Sequence, residues 1–309
     1  MSLSYRSAPL TFLYRWVIWP AETCVLFLLL GLLKLMPVQL ASAAMGYFFR
    51  LIGPLTSWHS RSITHLRLCF PEKSEPEIKD IARRMWMNLG RNVGEYMHLP
   101  QMLKKNHIQF NGLEHLHHDT GGIIIGAHLG NWEVPSLLGR VCPIQIGLIY
   151  RQLNNPYANR VFRRRATISG ADVYPKGREA GLGMLRTLRK GGYMLMLTDQ
   201  QLREGIEVPF FGYPARTAIS HIKLALKLNK PLYLAKTFRR SGTQIEVHFS
   251  HALDIAQICA GIKDEEQKIY HLACYINAEM EKWIIAHPEQ WLWPHRRWGK
   301  HIRPDMKLK

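Results

Sequence analysis

The 309-residue chain is short of acidic residues and of paired cysteines: 23 Asp and Glu stand against 41 Lys and Arg, and only five cysteines occur. Cys24, Cys69, Cys142, Cys259 and Cys274 show no CxxC and no paired spacing, which argues against a zinc site or a disulfide framework and fits a reducing compartment. The shortage of acid leaves a formal charge of +18, so an anionic partner is expected: nucleic acid, an anionic membrane surface or an acidic protein. Several chemistries lack their local signatures. There is no GxSxG nucleophile elbow, no Walker A phosphate loop, no GxGxxG opening a helix and no HExxH metal helix. No covalent nucleophile stands out, and no metal or cofactor is called for. The run HLHH at 115–118 has no nearby Cys or spaced acidic ligands and reads as a solvated loop. Internal repeats, low-complexity segments and long linkers are also missing, while 47% hydrophobic residues suffice to bury a substantial core.

What is present begins with an apolar N-terminus. From Trp16 to Leu33, WVIWPAETCVLFLLLGLL gives 18 largely apolar residues, broken by Pro20 and Glu22 and flanked by Arg15 and Lys34. As a helix it would reach roughly 27 Å, against a hydrocarbon core of about 30 Å. A retained membrane anchor is the leading reading. A signal peptide cleaved near ASAA, 41–44, and a buried helix are the alternatives, though Lys34 and Pro37 lengthen the gap before that cleavage site. The next stretch, AMGYFFRLIGPL, suits a helix lying in the membrane interface. The chain therefore divides into residues 1–55, a hydrophobic anchor with an interfacial helix, and residues 56–309.

The second part reads as one α/β domain. PEKSEPEIKDIARRMWMNLGRNVGEYMHL predicts an amphipathic helix: Ser74 and Glu77 form a capping box, and Ile78, Ile81, Ala82, Met85, Trp86, Leu89, Val93, Tyr96 and Met97 recur at helical spacing. From residue 121 onward, GGIIIGAH, PIQIGLIY, ADVYP, YMLMLTD, PLYLAKTFRR and QIEVHFS read as strands. Helical patterns lie between them near 156–168, 178–190 and 217–229, and another follows at 263–287. Such alternation predicts a mainly parallel sheet flanked by helices.

One junction does not match its surroundings. GAHLGNWE, 126–133, follows the apolar run GGIII directly and places His128 at the carboxyl end of a predicted strand, where open α/β sheets gather ligands. Five residues separate His128 from Glu133, a rotation of about 140° net on a continuous helix, so the two would share a site only if the chain turned at Gly130. Glu133 would then orient the imidazole and favour its protonated form. The alternative is a satisfied polar residue at a strand end and a favourable first-turn charge. Asp199 and Gln200 end another predicted strand and should border the same crevice, unless they form a turn or a helix cap. Of Arg163, Arg164 and Arg165, at most one or two can face that crevice; Arg165 is favoured, with solvent or lipid headgroups the alternative.

GAHLGNWE resembles the His-x4-acid block of the glycerolipid-type acyltransferases, in particular the late lipid A lauroyl and myristoyl transferases. YRQLNNP at 150–156, GGYMLMLTDQQ at 191–201, VPFFGYPA at 208–215 and HPEQWLWPHRRW at 287–298 look like the same branch, in the same order. The resemblance implies a glycerolipid-acyltransferase-like fold, with His128 as general base and Glu133 as its partner. It implies that the donor is an acyl-acyl carrier protein and the acceptor a hydroxyl on a phosphorylated, Kdo-bearing lipid A precursor. The implied location is the bacterial inner membrane, with the catalytic domain facing the cytoplasm. Arg151 would bind substrate, as a planar guanidinium suits phosphate. Gly130 and Asn131 would lend backbone N–H groups to the oxyanion. The closing block, which by composition could also be a nucleic-acid surface or plain C-terminal packing, would face the membrane; VPFFGYPA would lie close to the site, and Arg216 departs from the small residue expected after it. A lysophospholipid or other glycolipid acyltransferase is the rival within the superfamily. A basic peripheral membrane or nucleic-acid-binding protein is the rival outside it, and the resemblance favours no nucleic acid.

Overall fold

The computed structural model describes residues 12–117, 120–150, 152–159, 166–299 and 302–308. Strand β2, Gly122–Gly126, is buried along its whole length, as expected of a strand covered on both faces. It lies near the middle of a seven-stranded sheet with β1 (Ile108–Asn111), β3 (Ile146–Tyr150), β4 (Asp172–Pro175), β5 (Tyr193–Leu197), β8 (Leu232–Ser241) and β9 (Gln244–Phe249). The order is β1-β9-β8-β2-β5-β3-β4, and every pairing is parallel except β8 with β9. All six strands expected from the sequence are present. Short β1 and a separate hairpin, β6 (Ile206–Phe210) with β7 (Tyr213–Thr217), were not expected. The hairpin turns at Phe211 and Gly212, both at positive φ, the two-residue geometry that matches strand twist.

Before the sheet come α1 (Trp19–Leu35), α2 (Val38–Ile52), α3 (Ser57–Cys69), α4 (Glu75–Glu95) and α5 (Leu99–Lys104). Later come α6 (Arg178–Arg189), α7 (Ser220–Leu228), the single turn α8 (Ile255–Ile258) and α9 (Glu265–Ala286). A π turn at Tyr14–Ile18 extends α1 backwards, so Tyr14–Leu35 forms 22 residues long and apolar enough to cross a membrane. Val25, Leu28, Leu32 and Leu35 stand exposed along it. Its interrupting polar residues have partners: Asn155, on the loop after β3, donates Nδ2 to Trp19 O, Glu22 Oε2 and Thr23 Oγ1 at 3.0–3.2 Å.

Helix α4 begins as expected, with the Glu77 carboxylate accepting the Ser74 N–H at 2.8 Å. Its first half buries Ile78, Ile81, Ala82, Met85 and Trp86, but its second half departs from the apolar stripe. Leu89 and Val93 are only half-buried, whereas Asn88, Gly90, Asn92 and Glu95 are enclosed. The cause is α2, which crosses so closely that a Cβ on Gly90 would lie 2.1 Å from the Met45 carbonyl oxygen. Helix α2 buries Ala41, Ser42 and Met45 there and turns Leu40, Tyr47, Phe48 and Leu51 outward.

Candidate active site

Strand register assembles the centre of the site. Gly126 of β2 pairs with Leu197 of β5, so two residues further on His128 and Asp199 emerge side by side at the carboxyl edge. His128 Nδ1 lies 2.7 Å from Asp199 Oδ1, and the His128 backbone N–H donates to Oδ2 at 2.8 Å. The Trp291 indole N–H donates to the same Oδ2 at 2.8 Å. Asp199 is fully buried. Burial pushes its carboxyl upward, but the adjacent His128 charge and hydrogen bonds, with a contribution from His295, outweigh this and hold it well below its ordinary range. An ionised acceptor at Nδ1 fixes the tautomer: that nitrogen carries the proton, and the Nε2 lone pair faces outward. Gln200 Nε2 lies 3.3 Å from it, and the His128 side chain retains 16% exposure.

The turn after His128 is the one expected. Gly130 has φ of +59°, and a Cβ there would lie 2.7 Å from the Thr237 carbonyl oxygen, so conformation and space both require glycine. What the turn delivers differs from the expected geometry. Asp199 and Gln200 account for both ring nitrogens of His128, whereas Glu133 sits half-buried just before a 3-10 helix, Val134–Arg140, with its backbone N–H 3.3 Å from Asn131 Oδ1. The Gly130 N–H, expected to face an oxyanion, donates to the Gln290 carbonyl at 3.1 Å. Asn131 is wholly buried with its side chain turned inward. Arg151 and Arg165 lie outside the described residues.

The C-terminal block closes this turn. Leu129 and Trp291 form an antiparallel bridge, flanked by Gly130 N–H to Gln290 O and Leu292 N–H to His128 O. Trp291, Trp293 and Trp298 are therefore core residues with 0–1% exposure, not the membrane-facing rings anticipated. Trp291 and Trp298 pack with Phe210 of the β6–β7 hairpin and Trp293 packs on Trp291, which places VPFFGYPA behind Trp291 and so behind Asp199. Arg216 is exposed and pairs across the hairpin with Glu207 at 3.7 Å. Arg297 is enclosed against the Phe210 ring, 4.4 Å from its centroid; burial pushes the guanidinium down to about 10, with Asp199 and Glu281 opposing. His295, 5.7 Å from His128 between ring centroids, has both ring nitrogens buried without a hydrogen-bond partner among the described residues. Burial pushes it down to about 3 despite Asp199, so of these two neighbouring imidazoles only His128 is oriented and accessible.

The sequence reading missed Asp199 as the orienting group and Trp291 as its third donor. Asp199 had the same signal as His128, a polar residue ending an apolar strand, but only strand order shows that β2 and β5 are neighbours.

The site is thus an imidazole fixed by a buried carboxylate at the carboxyl edge of an α/β sheet, the equipment of a general base. Residues 7–300 match the family described as bacterial lipid A biosynthesis acyltransferase. The chain is similar to a lipid A biosynthesis acyltransferase of Haemophilus influenzae, at 27% identity over 90% of this chain and 86% of that one. It is also similar to two Escherichia coli K12 proteins. One is a lipid A biosynthesis palmitoleoyltransferase, at 25% identity over 75% and 76% of the two chains; the other is a lipid A biosynthesis lauroyltransferase, at 23% over 78% of each. A solved structure, the 1-acyl-sn-glycerophosphate acyltransferase PlsC of Thermotoga maritima, aligns at a TM-score of 0.39 and 13% identity, covering 82% of this chain and 98% of that one. The protein is an acyltransferase. It belongs to the bacterial lipid A biosynthesis acyltransferases.

Proposed function

We propose that this enzyme moves a fatty acyl chain from an acyl-acyl carrier protein to a hydroxyl of a Kdo-bearing lipid A precursor, at the cytoplasmic face of the bacterial inner membrane. The observation that carries the reading is the His128–Asp199 pair, with Nε2 directed outward and Nδ1–H held by a buried carboxylate. His128 takes the proton of the acceptor hydroxyl as its oxygen attacks the thioester carbonyl. The tetrahedral intermediate then collapses, the carbon–sulfur bond breaks, and the imidazolium returns the proton to the departing thiolate. The products are an ester and a free carrier thiol, and no covalent enzyme intermediate is required.

Asp199 stabilises the imidazolium while it exists. The Gln200 amide, beside Nε2, gives up that contact to the hydroxyl and is placed to donate to substrate oxygen. Glu133, Arg151 and Arg165 complete the proposed site, the arginines for acceptor phosphate. Both substrates suit a chain of charge +18, since the carrier is acidic and the acceptor phosphorylated. Tyr14–Leu35 and the outward face of α2 supply apolar surface for the bilayer from which the acceptor is drawn.

The test is transfer in vitro, using purified protein, carrier protein charged with chains of different length and Kdo-bearing lipid A precursors. The His128→Ala variant should lose about 10²- to 10⁴-fold in rate. Undiminished transfer by that variant would remove the base. Acylation of a lysophospholipid but of no lipid A precursor would move the enzyme to the rival acceptor class.

A further inference from the structure

Behind the turn, away from the open side of His128, lies a second polar assembly to which the reaction assigns no part. Arg239 of β8 and Glu95 of α4 form a buried two-pronged pair: Nη1 to Oε1 at 2.5 Å and Nη2 to Oε2 at 2.9 Å. Oε1 also accepts the Ser42 hydroxyl of α2 at 2.7 Å, and Oε2 accepts Asn131 Nδ2 at 2.9 Å. Each carboxylate oxygen thus has two donors, and one of the four belongs to the turn that follows His128.

The guanidinium sets the remaining polarity. Because arginine only donates, Asn88 and Asn92 must present Oδ1 to it, at 3.0 and 2.8 Å. That forces both Nδ2 groups onto the Gly130 carbonyl oxygen, at 3.1 and 2.6 Å. The Arg239 backbone fixes Gln290 similarly, donating its N–H to Oε1 at 2.7 Å and accepting Nε2–H at 2.9 Å. Gln290 in turn supplies the carbonyl that receives the Gly130 N–H. The Gly130 carbonyl and the side chain of Asn131 are therefore aimed by one ion pair, and the Gly130 N–H by the main chain of the same arginine.

Buried ion pairs are weak stabilisers, and well-packed apolar replacements often match or exceed them. An apolar pair cannot reproduce direction. We propose that Glu95, clamped by Arg239, is a positioning residue for acyl transfer: it acts through Asn131 and Gly130 to hold the turn that aims His128. This rests on His128 being the base.

The test replaces both charges, Glu95→Met with Arg239→Met, and reads thermal stability, kcat, KM and amide hydrogen exchange at Gly130. The expected result is a protein that still folds but melts below wild type, because Ser42, Asn88, Asn92 and Asn131 each lose a buried partner. KM should stay within about threefold, kcat should fall about 10- to 100-fold, and the Gly130 amide should exchange at least about tenfold faster. A folded double variant with wild-type kcat and wild-type exchange overturns the proposal. If the double variant does not fold, Asn131→Ala breaks the link while leaving the ion pair, and the same loss confined to kcat is expected; unchanged kcat and exchange overturn the proposal there too. Should wild-type protein transfer no acyl chain, the functional reading fails by itself, and hydrogen exchange still decides whether Glu95 holds the turn.

Discussion

Asp199 and Glu95 are both buried carboxylates that hold the segment following β2, one at His128 and the other at Asn131, yet their partners differ in kind. Glu95 faces a permanent cation, and Arg239 engages both of its oxygens. Asp199 makes its contacts with a backbone N–H, an indole N–H and the His128 ring. The Glu95 charge is already matched at rest. Among the described residues, the Asp199 charge is matched by a contacting cation only when His128 takes up a proton, so with His128 as the proposed base its attraction would be stronger in the transition state than in the ground state. On the proposed reaction, two acids near one turn would divide the work: one fixing geometry permanently, the other responding to the reaction.

Asp199→Asn breaks this comparison most severely. The amide can still hold the ring, but it neither fixes the productive tautomer nor stabilises the imidazolium, and kcat should drop about 10³- to 10⁴-fold with little change in acceptor KM. Steady-state kinetics checks this, and a loss under tenfold would return the partner role to Glu133. A smaller effect follows from Trp291→Phe, which keeps the ring packing and removes one donor from Asp199 Oδ2. A hydrogen bond to a buried charge contributes about 1.5–3 kcal/mol, so lower thermal stability and roughly tenfold lower kcat are expected. Unchanged melting would show that the indole N–H is not needed by the carboxylate.

The smallest effect on turnover lies away from both acids. His221 on α7 has both ring nitrogens buried and without a partner among the described residues, and burial pushes it down to about 4. Its unfolded value is near 6.5, so the unfolded chain binds more protons between those limits. The stability of this neutral imidazole is complete above about pH 6.5 and is lost as pH falls toward 4. His221→Phe should leave kcat at neutral pH unchanged. It should also flatten the fall in stability by roughly 1.4 kcal/mol per pH unit in that window. Denaturant melts at pH 4.5, 5.5 and 6.5 test this, and parallel slopes for the two proteins would contradict it.

Much of the fold was legible because strand and helix periodicities are local. The six apolar runs became strands, Ser74 and Glu77 opened α4, and Gly130 turned as its position suggested. Asp199 and Gln200 came to the same crevice as His128 because polar residues ending parallel strands share an edge. Their pairing was not legible, since it depends on β5 lying next to β2 in register. The stripe of Asn88, Asn92 and Glu95 follows helical spacing as closely as the apolar residues do, but a polar residue declares its burial only when its partners are known. Arg239 and Gln290 lie more than 140 residues beyond those partners. The three C-terminal tryptophans were read as rings for a membrane surface, because aromatic composition alone does not separate an interface from a core.

The bridge between Leu129 and Trp291 also sets an order of events in the life of the chain. The apolar helix long enough to cross a bilayer precedes both partners of this bridge in the chain. The segment that locks the turn beside His128 lies roughly 160 residues after that turn, a closure of high contact order that forms late. The nascent chain therefore carries its apolar helix well before Trp291 exists to hold the turn beside His128.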